Sequence, residues 1–293
     1  CHRNNFNVDS QSKSKSPLKL SQSQQDLDCA TASNKQPTLK SAHILGRIVS
    51  VTGTAIENAV ITALDHSGVT QTVVAQSNSS GEFSIALDAD TQYVLQLTAP
   101  EFSTQVIPVL SSSTNTSYRL NNIVMAERGE AHSINVDGKR TILANDGANV
   151  TFDKANFVDI NGQPLLDEMQ LTITPLDISN TRSIKAFPGL FLGVSPDNIT
   201  PEMIVNLGAV EYHFTHNGEP VNLASGATAD IQIPIYVNQY PNGQPIEAGD
   251  TIPLRSLNET TGVWSQEGTG TVVYSTDSPT GLAYQATVSH FSW

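Results

Sequence analysis

The chain has 293 residues, enough for about two domains of ordinary size, and 38% of them are hydrophobic, which suffices for compact cores. Its formal net charge of −13 is unevenly placed: residues 1–40 carry a net +3 and residues 41–293 a net −16. An acidic folded part repels phosphate backbones, which argues against nucleic acid as a partner, and no run of eighteen apolar residues exists to span a bilayer as a helix.

The chain opens CHRNNFNVDSQSKSKSPLKLSQSQQDLD. Residues 9–40 are rich in Ser, Gln, Lys and Asn, and their larger apolar residues, Leu18, Leu20, Leu27 and Leu39, stand alone. Such a segment cannot bury enough surface to offset its ordering entropy, so residues 1–43 read as a disordered tether. Both cysteines, Cys1 and Cys29, lie in it. The rest of the chain therefore has no disulfide framework and no Cys-based metal site.

Cys1 ahead of such a tether resembles a mature bacterial lipoprotein, in which a signal peptide is cut just before a cysteine whose thiol carries diacylglycerol. The resemblance implies lipidation of Cys1 and a membrane partner held through the lipid. Two or three acyl chains at about 0.8 kcal/mol per buried methylene make a firm anchor. His2, where an aspartate would be an inner-membrane retention signal, fits the outer membrane or cell surface. Cys29 reads as an incidental thiol.

From residue 44 short apolar runs alternate with turn residues. Strands are expected at 44–51, 58–65, 70–76, 82–87, 92–99, 104–110 and 117–125, with a period of two that puts Phe83, Ile85 and Leu87 on one face and Tyr93, Leu95 and Leu97 on another. Seven strands at this spacing predict a β-sandwich over 44–126. The runs GRIVSVTGTAIENAVITA, SNSSGEFSI and YVLQLTAPEF resemble the carboxypeptidase regulatory-like domain, a transthyretin-like sandwich. In that family the module is an accessory or spacer. Gly81 is expected to take a positive φ.

A second all-β module is expected over 130–293. Strands are expected at 148–152, 169–176, 208–214, 229–236, 251–257 and 283–293. Val210, Tyr212 and Phe214 face one way, with Glu211, His213 and Thr215 opposite. Ile231, Ile233 and Ile235 repeat the pattern, and Pro234 on the other face favours an edge strand or a bulge. Asn217-Gly218 marks a hairpin turn, and Thr200-Pro201-Glu202-Met203 reads as a helix start. The series FPGLF, GAVEYHFTHNGEPVNL, ADIQIPI, TTGVWSQEG and VSHFSW resembles the ZU5-like region of cartilage intermediate layer protein and of bacterial surface lipoproteins. The resemblance implies an all-β module with no assigned chemistry and no cofactor. The last motif runs to Trp293, which predicts further domains beyond it.

Candidate chemistry is sparse. His216-Asn217-Gly218-Glu219 matches the H-x-x-E of a metallocarboxypeptidase zinc site, but it straddles a hairpin turn and reads as a solvated loop. The carboxylates at Glu127 to Glu130 and Asp153 to Asp167 lack Ca²⁺-loop spacing and read as acidic surface. Tyr236, Tyr240, Trp264 and Trp293 are candidates for stacking on sugar rings, with Trp264 the better fit to a core. The Asn-x-Ser/Thr sites at Asn78, Asn115, Asn149, Asn198 and Asn258 matter only in a eukaryotic secretory route.

His290-Phe291-Ser292 is the sharpest signal. It resembles the self-cleaving H-F-S site of ZU5-containing death-domain proteins and of a nucleoporin domain. The resemblance implies attack of the Ser292 hydroxyl on the Phe291 carbonyl, with His290 as base. The competing reading is a terminal strand packed on a sheet.

The expectation drawn from all this is a non-enzymatic, envelope-anchored lipoprotein with two β-sandwich-type domains and a structural, adhesive or ligand-presenting role. Its partners would be envelope proteins or surface glycans. The alternatives are an autoproteolytic protein cleaving between Phe291 and Ser292, and a polysaccharide-binding accessory module of a larger protein.

Overall fold

Among the described residues, seven strands build the first part of the fold: β1 (Ser41–Ser50), β2 (Val60–Asp65), β3 (Thr70–Gln76), β4 (Glu82–Asp88), β5 (Gln92–Ala99), β6 (Phe102–Leu110) and β7 (Ser117–Met125). The computed structural model describes residues 41–65, 70–111, 116–195 and 200–293. The tether through residue 40, both cysteines, Asn115 and Asn198 lie outside the described residues.

Alternation builds this part. Along β4, exposed and buried residues follow each other without a break, so Phe83, Ile85 and Leu87 all point inward. Strand β1 pairs antiparallel with β4 and parallel with β7, while β3, β2, β5 and β6 form an antiparallel sheet in that order. The two apolar faces meet over Ile44, Ile48, Ile61, Leu95, Leu97 and Met125. Each such side chain contributes about 1.5–3 kcal/mol by leaving water. Gly81, just before β4, has φ +75°, and a Cβ there would lie 2.3 Å from the Ile48 carbonyl oxygen. The position therefore demands glycine twice, for its backbone angle and for the close approach of β1.

Among the described residues, fourteen strands follow: β8 (Ala131–Ile134), β9 (Lys139–Leu143), β10 (Asn149–Asp153), β11 (Phe157–Val158), β12 (Met169–Leu176), β13 (Leu192–Val194), β14 (Pro201–Met203), β15 (Ala209–His216), β16 (Glu219–Pro220), β17 (Asn222–Leu223), β18 (Ala229–Pro234), β19 (Thr251–Asn258), β20 (Val263–Tyr274) and β21 (Leu282–Val288). One sheet runs β14-β13-β20-β21-β18-β10-β9, with β19 also on β20. A second runs β16-β15-β12-β8, and β11 pairs with β17. Their shared core holds Val150, Leu171, Ile173, Val210, Ile231 and Tyr284, with Phe152, Phe157 and Phe214 in mutual contact at ring separations of 4.6–5.6 Å. The Tyr212 hydroxyl donates to the Gln232 carbonyl at 2.8 Å and so ties one sheet to the other. Asn217 and Gly218 both have positive φ, as a type I′ turn joining β15 to β16 requires.

Three expectations need correction. Residues 201–203 are not a helix start but the edge strand β14, paired with β13. The Thr-Pro signal is local, whereas the partner strand that overrides it is not. Strand β18 is not an edge: it lies between β10 and β21. Pro234 is tolerated because β10 pairs only with residues 230–232, so the missing N–H falls past the end of that ladder. The last expected strand, 283–293, ends at Val288, and residues 289–293 are not strand. Strand β20, at twelve residues, has no signal in the alternation because its polar Ser-Gln-Glu-Gly-Thr-Gly centre breaks it.

Residues 40–293 form one compact unit. Val49, Leu64, Val94, Val106 and Val124 of the first sandwich pack against Leu176, Phe187, Ala209, Leu257, Trp264 and Trp293. The face of β15 opposite its core is therefore covered as well. Glu211 is only 5% exposed there. Arg128 grips it with a two-pronged contact at 2.9 and 3.2 Å, and the Thr104 amide donates to it at 3.3 Å. Burial and the Arg128 charge hold the His213 pKa below its usual range.

Beside them Glu259 accepts a hydrogen bond from Gln96 at 3.1 Å. Burial first, and the Glu211 charge second, raise its pKa. A carboxyl whose folded pKa is raised stabilises the fold below its unfolded pKa and loses that contribution as pH rises through the folded value. Glu259→Gln is expected to raise the urea midpoint at pH 7 and to leave it unchanged near pH 4. An unchanged midpoint at pH 7 would refute a strained charge at this position.

Candidate functional site

The residues that bridge β15, β18, β19 and β20 enclose a cleft of about 610 Å³. Its size falls within the range of small-molecule sites. The walls are mainly apolar, with Phe187, Leu207, Ile235, Ile252, Trp264 and Trp293 among them. Trp264 stacks on Phe187 at 4.9 Å and donates its indole N–H to the Pro188 carbonyl at 3.1 Å. The pairing of β14 with β13 turns Glu202 inward against Arg255, whose guanidinium also donates to the Val194 carbonyl at 3.1 Å. The same strand turns Met203 outward, 80% exposed, at the rim. In the wall, Asn206 Oδ1 accepts the Gly208 amide at 2.9 Å, while its Nδ2 is buried without a partner. Tyr240 donates to Asp250 at 2.8 Å, and partial burial with that contact pushes its pKa up to about 12.

A smaller cleft of about 160 Å³ shares Val210, Ile233, Leu254, Arg255 and Trp293 with the first and contains His290, Phe291 and Ser292. Asn222 clamps the backbone of Phe291 from both sides, accepting its N–H at 2.8 Å and donating to its carbonyl at 3.0 Å. The Phe291 ring packs on Phe214 at 4.6 Å and Phe157 at 5.9 Å. His290 Nε2 faces Glu267 at 3.3 Å. The Ser292 hydroxyl donates to the Trp293 carbonyl at 2.8 Å rather than to the His290 ring. The three residues are thus neighbours in one cleft, with hydroxyl and imidazole engaged by different partners. Trp293 is anchored beyond them: its indole N–H donates to the Thr104 carbonyl at 2.9 Å and its carbonyl accepts the Leu257 amide at 3.1 Å.

The other candidates are placed as follows. His216 Nδ1 bonds the Glu168 carbonyl at 2.9 Å, on the strand side of the hairpin turn. Asp153 and Asp159 each accept two backbone amides, which holds both carboxyls below the usual range. Among the described residues, no group of three or more His, Cys, Asp or Glu side chains is placed to hold a metal ion. Of the aromatics considered for sugar stacking, Tyr236, Trp264 and Trp293 are buried, and Tyr240 is half-buried with its hydroxyl engaged. The Asn222 clamp and the Arg255–Glu202 pair had no local signal in the sequence, because each joins residues more than fifty positions apart.

No curated protein matches the chain. Three 1,2-dioxygenases, two from Pseudomonas putida and one from Rhodococcus opacus 1CP, align with 30–32% of this chain at 6–12% identity and a TM-score of 0.24. The chain spans only 56–62% of the length of these enzymes. A Bacteroides uniformis protein with a provisional carbohydrate-binding assignment aligns with 86% of this chain and 99% of its own at 10% identity, TM-score 0.23. A Parabacteroides merdae protein of the DUF3823 family covers 65% of this chain and 90% of its own at 8% identity, TM-score 0.25. At such scores no activity or ligand passes from these structures to this chain. Within the chain itself, residues 43–126 match the family model of the carboxypeptidase regulatory-like domain, a non-catalytic module.

Proposed function

We propose that the protein is a non-catalytic, ligand-presenting component of a bacterial cell surface, tethered to the outer membrane through lipid on Cys1. The observation that carries the presenting role is the apolar interface joining the two β bodies, in which Val94, Val106 and Val124 pack against Phe187, Trp264 and Trp293. A hinged pair of domains would let its clefts and end loops wander. A shared core holds them in one geometry, which is what a presenting scaffold needs. The anchor is supported by the sequence resemblance alone.

Two measurements test the reading. Calorimetry on residues 41–293 is expected to show one transition with equal calorimetric and van't Hoff enthalpies; two resolved transitions would overturn the shared scaffold. Mass spectrometry of the protein from native membranes is expected to find acylated Cys1, with the folded part cut by protease added to intact cells. Unmodified Cys1 in a soluble fraction would overturn the surface assignment.

A further inference from the structure

Residues 41–293 hold only nine Lys and Arg against twenty-five Asp and Glu. Four of the nine, Arg47, Arg119, Arg182 and Lys185, line a single basin of about 1080 Å³, and no carboxylate lines it with them. Four of the remaining five are ion-paired: Arg128 with Glu211, Lys139 with Asp230, Lys154 with Asp137, and Arg255 with Glu202. Among the described residues, none of the four basin cations has such a partner. Glu82 lies opposite Arg47 in the β1–β4 register but does not pair with it. In an acidic protein, leaving four like charges together unpaired raises their mutual repulsion, which a bound anion relieves.

The basin is a product of the assembled fold. Arg47 comes from β1, Arg119 from β7, Lys185 from the 3-10 turn at 183–186, which packs beside β7, and Arg182 from the position just before that turn. The β1–β7 register slips between Leu45 and Arg47: one residue of β1, Gly46, is matched by two of β7, a bulge at Leu120 and Asn121. Bulges re-aim side chains in this way. Arg47 is held in place because its Nε donates to the Ser80 carbonyl at 2.9 Å, leaving its terminal nitrogens to the basin. Asn121 and Asn122 add amides to the wall, and Ser50 and Thr52 add a hydroxyl pair 2.7 Å apart.

We infer that this basin binds an acidic oligosaccharide, a chain of sugars carrying carboxylate or sulfate groups. A single phosphate would fill a small part of the volume and engage one or two of the cations. A bilayer surface is flat and cannot enter a recess between two packed bodies. An acidic sugar chain matches both features, because its charged groups are spaced along a strand and its hydroxyls find amides and hydroxyls between the cations. The inference stands on the basin and not on the lipid anchor.

The test is calorimetric titration of the full chain with oligogalacturonate and with a chondroitin sulfate oligosaccharide. Neutral dextrin, inorganic phosphate and phosphatidylglycerol vesicles serve as comparison ligands. Binding to at least one of the two acidic sugars is expected, weakening as salt is raised. The triple variant Arg119→Gln/Arg182→Gln/Lys185→Gln removes exposed charges only. It should keep the wild-type melting temperature and lose affinity by on the order of tenfold. Unchanged affinity in this variant, equal binding of dextrin or phosphate, or binding to vesicles alone would each overturn the inference. If the variant fails to fold, Lys185→Gln by itself provides the reading, with a smaller loss expected and an unchanged affinity again decisive against it.

Discussion

Replacing Trp264 by alanine is expected to cost about 3–5 kcal/mol of unfolding free energy, the range for truncating a buried large aromatic. Trp264 is 4% exposed, stacks face to face on Phe187 and satisfies its N–H on the Pro188 carbonyl. The indole also touches the positions that join the two β bodies, so its loss opens a cavity where Val106 and Leu257 meet. The packing beside it is tight: a Cβ added at Gly189 would lie 3.3 Å from the indole nitrogen and 3.2 Å from Leu257 Cδ1. Urea titration should show a lower midpoint. An unchanged midpoint would mean that this interface carries no stability. A milder substitution, Trp264→Phe, keeps the stacking and loses the hydrogen bond, so it should fall between the two.

The second large effect is expected at Glu211. Glu211→Ala removes the partner of Arg128, whose side chain is itself only 16% exposed, and leaves a cation stranded in a covered interface. Breaking one half of such a pair costs about 3–5 kcal/mol. The loss comes chiefly from the orphaned guanidinium and from the unpaired Thr104 amide, not from the pair's own attraction. The double variant Glu211→Leu/Arg128→Met should therefore recover most of the stability lost by the single one. A double variant as unstable as Glu211→Ala would show that packing, not charge, sets the cost. His213 lies in the same cluster with its pKa held down, so it stabilises the fold above its unfolded pKa. That contribution is lost as pH falls from the unfolded value, about 6.5, through the lower folded one.

Much of the architecture is legible as alternation. Strands β4, β5, β7 and β12 lie where period-two runs place them; along β4 one face meets a core and the other does not, whereas β5, β7 and β12 also bury residues of their second face, Val94, Val124 and Leu176, at the junction of the two β bodies. The failures are as physical. Residues 201–203 carry a good local helix signal and become a strand because β13 supplies a ladder that the chain around them does not announce. Strand β20 is held by β13, β19 and β21 despite its two interior glycines. Glu211, read as lying on the face away from the core, is buried by a second body whose approach no periodicity encodes.

By itself, the sequence determined the all-β class, the inward positions of the strands, the glycine at position 81 and the hairpin at Asn217-Gly218. Each of these follows from side-chain alternation or from a backbone angle within a few residues. The tertiary structure alone decided that the two β bodies share a core, that Trp293 and Trp264 close it, and that Arg47, Arg119, Arg182 and Lys185 gather in one basin. Those groupings join residues more than sixty positions apart, and only the pairing of distant strands brings them within reach of one another.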